Sequence, residues 1–165
     1  MLCQLERGFL EIALGYYATP SRYPLIAAEL IAAGGEDSRL AELAGLSRNA
    51  PESEICELLD AIGRDFGWSP KSRSSGVRRL FALWACAVGE EISAAEFAQR
   101  SRIHEVRANL ALPSYEWVAW LVGLESEWTE MSRPREDVES DILILAQELC
   151  YQASGPSESN CDDLV

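Results

Sequence analysis

The chain carries a single histidine, His104, and that fact excludes much of the chemistry a small protein can perform. Metal sites built on two histidines, such as H-E-x-x-H on one helix or paired Glu-x-x-His motifs in a bundle, need a second imidazole. Any Ser-His-Asp or Cys-His arrangement would have to run through His104, and no serine occupies a G-x-S-x-G turn. Loops that cradle phosphate, G-x-x-x-x-G-K-[ST] or G-x-G-x-x-G after a strand, do not occur. The five cysteines, Cys3, Cys56, Cys86, Cys150 and Cys161, are widely spaced and form no C-x-x-C pair. Cys56, Cys86 and Cys150 fall within apolar helical runs, where free thiols act as small hydrophobes. The reading is therefore five unpaired thiols in a reducing, cytoplasmic setting, with no catalytic residues, no cofactor and no metal.

Carboxylates are the abundant reactive group. The densest set is Glu125, Glu127, Glu130, Glu136, Asp137, Glu139 and Asp141. Its spacing matches no EF-hand loop. The pairs Asp137/Asp141 and Glu136/Glu139 place like charges one helical turn apart, which destabilises an isolated helix. The helix dipole accounts for acids in the first turn after Pro134, but not for Asp141 or the 125–130 group. Trp117, Trp120 and Trp128 lie close by. Apolar periodicity assigns Trp117 and Trp128 to the core and leaves Trp120 off the stripe. An exposed tryptophan beside carboxylates is a composition suited to a protein interface. Trp120 and the seven acids form the expected partner-binding set.

The charge balance points the same way. The chain has 27 acids against 14 bases, formal net charge −13. Residues 1–107 hold 15 acids and 12 bases, whereas residues 108–165 hold 12 acids and only Arg133 and Arg135. A field of that sign repels nucleic acid and anionic lipid and attracts basic partners. The basic stretch Lys71, Arg73, Arg78 and Arg79, with Arg64 before it, could hold phosphate but in so acidic a chain is expected to pair internally.

Helices must position these groups. Val77–Val88 is apolar after its two arginines, with Leu80, Phe81, Trp84 and Val88 on one stripe and Leu83, Cys86 and Ala87 opposite. A helix apolar nearly all round is buried on all sides, and at this length it cannot span a bilayer. It is the expected central helix of an all-α, single-domain bundle of about eight helices over residues 1–153, followed by a flexible acidic tail at 154–165. No run reaches transmembrane length, and Glu6 and Glu11 interrupt the N-terminal apolar stretch, unlike a secretory signal.

Taken in order, the first helix carries Leu2, Leu5, Phe9, Ile12 and Tyr16 and is expected to end at Thr19-Pro20. Pro24 opens a helix closed by Gly34-Gly35, and Asp37 or Ser38 caps the next, through Leu46. Asn49 and Glu52 have capping-box spacing before the stripe Ile55, Leu58, Leu59, Ile62, Phe66, which stops at Gly67. Trp68–Gly76 reads as a polar loop. Ser93 and Glu96 start a helix to about Arg102, residues 103–112 add a turn or two, and Pro113 breaks the chain. Trp117, Leu121, Leu124 and Trp128 make the following stripe, which Gly123 could kink. The last helix, after Pro134, carries Val138, Ile142, Leu145 and Leu149.

In size, acidity and tryptophan beside acids, over the whole chain, the protein resembles the all-helical immunity proteins of bacterial toxin systems. That resemblance implies direct protein–protein inhibition of a basic toxin. A second expectation is a nucleic-acid mimic, whose carboxylates imitate phosphates to occupy a DNA- or RNA-binding protein. A third is a helical adaptor module that takes a partner helix in an apolar groove.

Overall fold

The computed structural model describes residues 1–16, 19–47, 49–108 and 116–154. Among them the fold is an all-α bundle of eight helices: α1 (Leu2–Ala13), α2 (Tyr23–Ala32), α3 (Ser38–Ala44), α4 (Glu52–Asp65), α5 (Arg73–Cys86), α6 (Ala94–Ala108), α7 (Glu116–Glu130) and α8 (Arg135–Ser154). A 3-10 turn, Pro20–Arg22, precedes α2. No described helix is long and apolar enough to cross a membrane. The chain groups into two compact units, Met1–Leu80 and Phe81–Val165, so the division falls inside α5.

In the first unit α1 ends at Ala13, well before the proline expected to stop it. Gly15, at φ +76°, takes the left-handed conformation that glycine alone adopts freely. Its N–H donates to the Ile12 carbonyl at 3.0 Å and that of Tyr16 to the Glu11 carbonyl at 2.7 Å. These are the two bonds of a Schellman cap. Asp37 caps α3, its carboxylate accepting from the N–H groups of Arg39 and Leu40, both at 2.9 Å. The expected capping box of α4 does not form. Pro51 occupies the N-cap position, since proline cannot donate and its fixed φ suits a helix start. The core here is Leu5, Tyr23, Ala27, Leu40, Leu43, Ile55, Leu59 and Ile62. Phe66, expected on the α4 stripe, is exposed and stacks on Trp68, their ring centroids 5.2 Å apart.

Helix α5 begins four residues before the expected start, within the stretch read as loop. Ser72 and Ser75 cap it reciprocally: each backbone N–H donates to the other's hydroxyl, both at 3.1 Å. From Leu80 to Ala85 every side chain is buried. In the second unit Phe81 meets Trp84, Trp117 and Phe97, with centroids 4.9, 4.7 and 6.4 Å apart. Ser93 caps α6 by accepting from the Glu96 N–H at 3.1 Å, and α6 continues to Ala108. The expected break at Pro113 and the expected flexible tail beyond Ser154 lie outside the described residues, as do Cys161 and the side chain of His104.

The expectation of unpaired thiols fails for one pair. Cys86, in the last turn of α5, is disulfide-bonded to Cys150 of α8, their Cα atoms 4.9 Å apart, inside the range a disulfide spans. Cys86 is exposed, although its neighbours on α5 are buried. Cys3 and Cys56 are free. The bond removes the thiol argument for a reducing compartment.

Two predictions follow from this architecture. Trp84 is 2% exposed, so Trp84→Ala should cost about 3–5 kcal/mol in urea unfolding; a loss below about 1 kcal/mol would mean that the helix is not packed as described. The disulfide closes a separation of 64 residues, so the Cys86→Ala/Cys150→Ala variant should lose about 2–4 kcal/mol. In the parent protein, unfolding under reducing conditions should expose two more alkylatable thiols than unfolding without reductant. Equal alkylation in both would show that the bond does not form.

Candidate functional site

The C-terminal acids lie on two helices that form an antiparallel hairpin. Helix α7 ends at Glu130 and α8 begins at Arg135, a connection short enough to force adjacent helices. Met131 takes φ +52° in this turn, a left-handed value uncommon without glycine. Arg133 follows and binds both helices, donating to Glu127 and to Asp141, each at 2.9 Å. The Asp141 and Glu127 hydrogen bonds raise the Arg133 pKa, holding its charge more firmly.

The buried edges of the hairpin are narrower than periodicity suggests. On α7 they are Val118 and Leu121, with Trp117, Leu124 and Trp128 half-buried. On α8 they are Val138, Ile142, Ala146 and Leu149. Leu145, expected in the core, is half-buried because Ala146 takes the inward position. Turned outward from these edges, Trp120, Gly123, Leu124 and Glu127 of α7 and Asp141, Ile144, Leu145 and Glu148 of α8 line a groove of about 410 Å³. Both sets have the spacing i, i+3, i+4, i+7, one face of a helix over two turns. Trp120 is 65% and Ile144 60% exposed, so two large apolar side chains stand in solvent at the groove between three carboxylates.

Gly123 shapes this groove. Beyond its chain neighbours and its own helix's backbone, a β-carbon there would have no heavy atom within 4 Å, and Gly123 is not among the residues with positive φ. Neither backbone conformation nor close packing requires glycine, which costs about 1 kcal/mol relative to alanine within a helix. Helix α7 runs through it unbroken. What the missing side chain provides is open space.

The eight residues expected to form a partner surface divide accordingly. Trp120, Glu127 and Asp141 line the groove. Glu125 points elsewhere and pairs with Arg102 of α6 at 2.5 Å, accepting also from Thr129 Oγ1 at 3.2 Å. Glu130, Glu136, Asp137 and Glu139 are exposed on the hairpin outside the groove lining. The expected set lacked Gly123, Leu124, Ile144, Leu145 and Glu148 of the lining, and also Arg133 as the clamp between Glu127 and Asp141. The repeated i, i+3, i+4, i+7 pattern at 120–127 and 141–148 was the available signal. Periodicity assigns its members Leu124 and Leu145 to the core, since a helix with two apolar faces looks the same in sequence as one with a broad face. Among the described residues no three His, Cys, Asp or Glu side chains are placed to hold a metal ion.

A second concentration of charge lies in the first unit, where Glu6, Arg7 and Glu11 of α1 are buried. Glu6 takes a bidentate ion pair from Arg79, at 2.7 and 2.9 Å, and the Tyr23 hydroxyl donates to Glu11 at 3.3 Å. Burial, and then the Glu11 carboxylate, push the Tyr23 phenol well above the usual tyrosine range. Of the basic stretch, Arg79 pairs with an acid in this way, as does Arg64, which holds Asp60 at 3.0 Å, while Arg73 donates to the Leu14 carbonyl at 3.4 Å. These contacts satisfy charges and carbonyls within the unit and so act in packing.

The Tyr23 shift has a pH consequence. Below the unfolded tyrosine value of about 10 the phenol is neutral in both states. Its contribution to stability is fully present there and is lost as pH rises, because the unfolded chain ionises first. Urea midpoints measured from about pH 9 to 11 should therefore fall more steeply in the parent than in Tyr23→Phe. Identical alkaline slopes would show that Tyr23 ionises normally.

No protein-family model matches the chain, and neither does any curated protein or solved structure.

Proposed function

We propose that the protein is a non-catalytic acidic binding protein that neutralises a basic protein partner through the α7–α8 hairpin, in the manner of the helical immunity proteins that block bacterial toxins. The observation that carries this reading is the pair Trp120 and Ile144, exposed across one groove on helices whose outer faces are crowded with acids. Burying an exposed tryptophan gives affinity, and the surrounding carboxylates give association rate and selectivity. The nucleic-acid mimic is less favoured. Glu125 is paired with Arg102, and Glu127 and Asp141 share Arg133, which interrupts the rows of unneutralised charge that a phosphate mimic presents.

The test begins with capture of the partner from the native host and proceeds to binding kinetics. Reversing Glu130, Glu136 and Glu139 to Lys should slow association and flatten its dependence on ionic strength, because rim charges act on encounter. Trp120→Ala should leave association unchanged and speed dissociation about tenfold, a loss of about 1.4 kcal/mol. Both variants should retain the helical circular dichroism of the parent, since all four residues are exposed. Unchanged kinetics in both, with folding intact, would overturn the reading.

A further inference from the structure

The groove has a floor as well as walls, and its dimensions and charge point to a particular occupant. From Trp120 to Glu127, and again from Asp141 to Glu148, the lining covers seven residue steps, about 10 Å of helix, or two turns. Helix α6 packs against both α7 and α8 and reaches the hairpin through Arg102 and Glu125. By helical phase Glu125 stands on the same side of α7 as the buried Val118 and Leu121, away from Trp120, Gly123 and Glu127. The groove is thus the flank of the pair left for another helix. Gly123 leaves its floor bare where a β-carbon would meet no neighbouring element.

We propose that this groove receives one face of a basic amphipathic helix from the partner, with a bulky apolar side chain seated over Gly123 between Trp120 and Ile144. This rests on the reading of the hairpin as a partner surface and specifies the chemistry of what binds there. Helix-in-groove recognition places apolar anchors at i, i+3, i+4 and i+7, the same period as the groove lining. The charge selects the sign of the occupant. Glu127 and Asp141 line the groove and share one cation, Arg133, so a flanking Lys or Arg gains carboxylate neighbours. A second copy of the chain, at net −13, lacks that complementarity. So does the chain's own C-terminal segment, whose charged residues after Ser154 are Glu158, Asp162 and Asp163.

The experiment uses the full chain and three fluorescein-labelled peptides followed by anisotropy. The first is a Leu/Lys helix with leucines at i, i+3, i+4 and i+7; the second replaces Lys by Glu; the third scrambles the first. The parent protein should bind the first peptide and bind the other two at least about tenfold more weakly. Gly123→Leu should weaken the first peptide at least about tenfold, and Trp120→Ala should do the same should the leucine variant fold poorly. Gly123→Ala, which adds one methyl group, should raise the melting temperature and weaken the peptide by less than the leucine variant does. No binding by the parent would overturn the proposal. So would equal binding of the Glu or scrambled peptide, or affinity unchanged in both Gly123→Leu and Trp120→Ala. If the groove variants are silent while Glu130→Lys/Glu136→Lys/Glu139→Lys still slows association with the captured partner, the groove assignment falls and the acidic binding surface stands.

Discussion

Six consecutive side chains of α5, Leu80 to Ala85, are buried, and this requirement organises the rest of the molecule. Six residues at 100° each pass through more than a full turn, so α5 offers no continuous polar face along that run. Arg78 and Arg79 sit just before the buried run, and Arg79 is held by Glu6. The chain's excess of acid therefore has to reside on other helices. It is densest on α7 and α8, each of which contributes a limited buried edge and keeps a broad outer face.

The hairpin illustrates a conflict between stability and an open surface. Helix α7 carries a mid-helix glycine that neither its φ nor its neighbours require, and an exposed tryptophan that its own core does not use. Like charges follow at one-turn spacing in the first turns of α8, where only part of the acid is explained by the helix dipole. Arg133 mitigates the repulsion near the turn by binding Glu127 and Asp141 together, and so fixes one end of the groove. These features lower the stability of the two helices, and nothing in the packing of the hairpin requires them.

Much of the fold was legible in the sequence because helical periodicity is a local property. The stripe Ile55, Leu59, Ile62 and the buried run of α5 follow from spacing alone, as do the stops at Gly34 and Gly67, whose left-handed φ values are +99° and +70°. Local reading went wrong where two local signals competed. Gly15 ended α1 before Pro20 could, and Pro51 displaced Asn49 as the cap of α4. Ser72 and Ser75, read as loop residues, were a cap.

What the sequence determined by itself was the helical class, the position of the buried helix, the acidity of residues 108–165 and the displacement of Trp120 from the core stripe. Each depends only on residues within a few turns of one another. Tertiary structure decided which carboxylates act together. It separated Glu125, bound to α6, from Glu127 and Asp141, bound through Arg133, and turned Leu124 and Leu145 from expected core toward a shared groove. It also brought Cys86 to Cys150 across 64 residues. Such pairings depend on how one helix is rotated against another. A rotation of a few tens of degrees exchanges a core position for a groove position while leaving the hydrophobic pattern unchanged, so the pattern alone does not fix it.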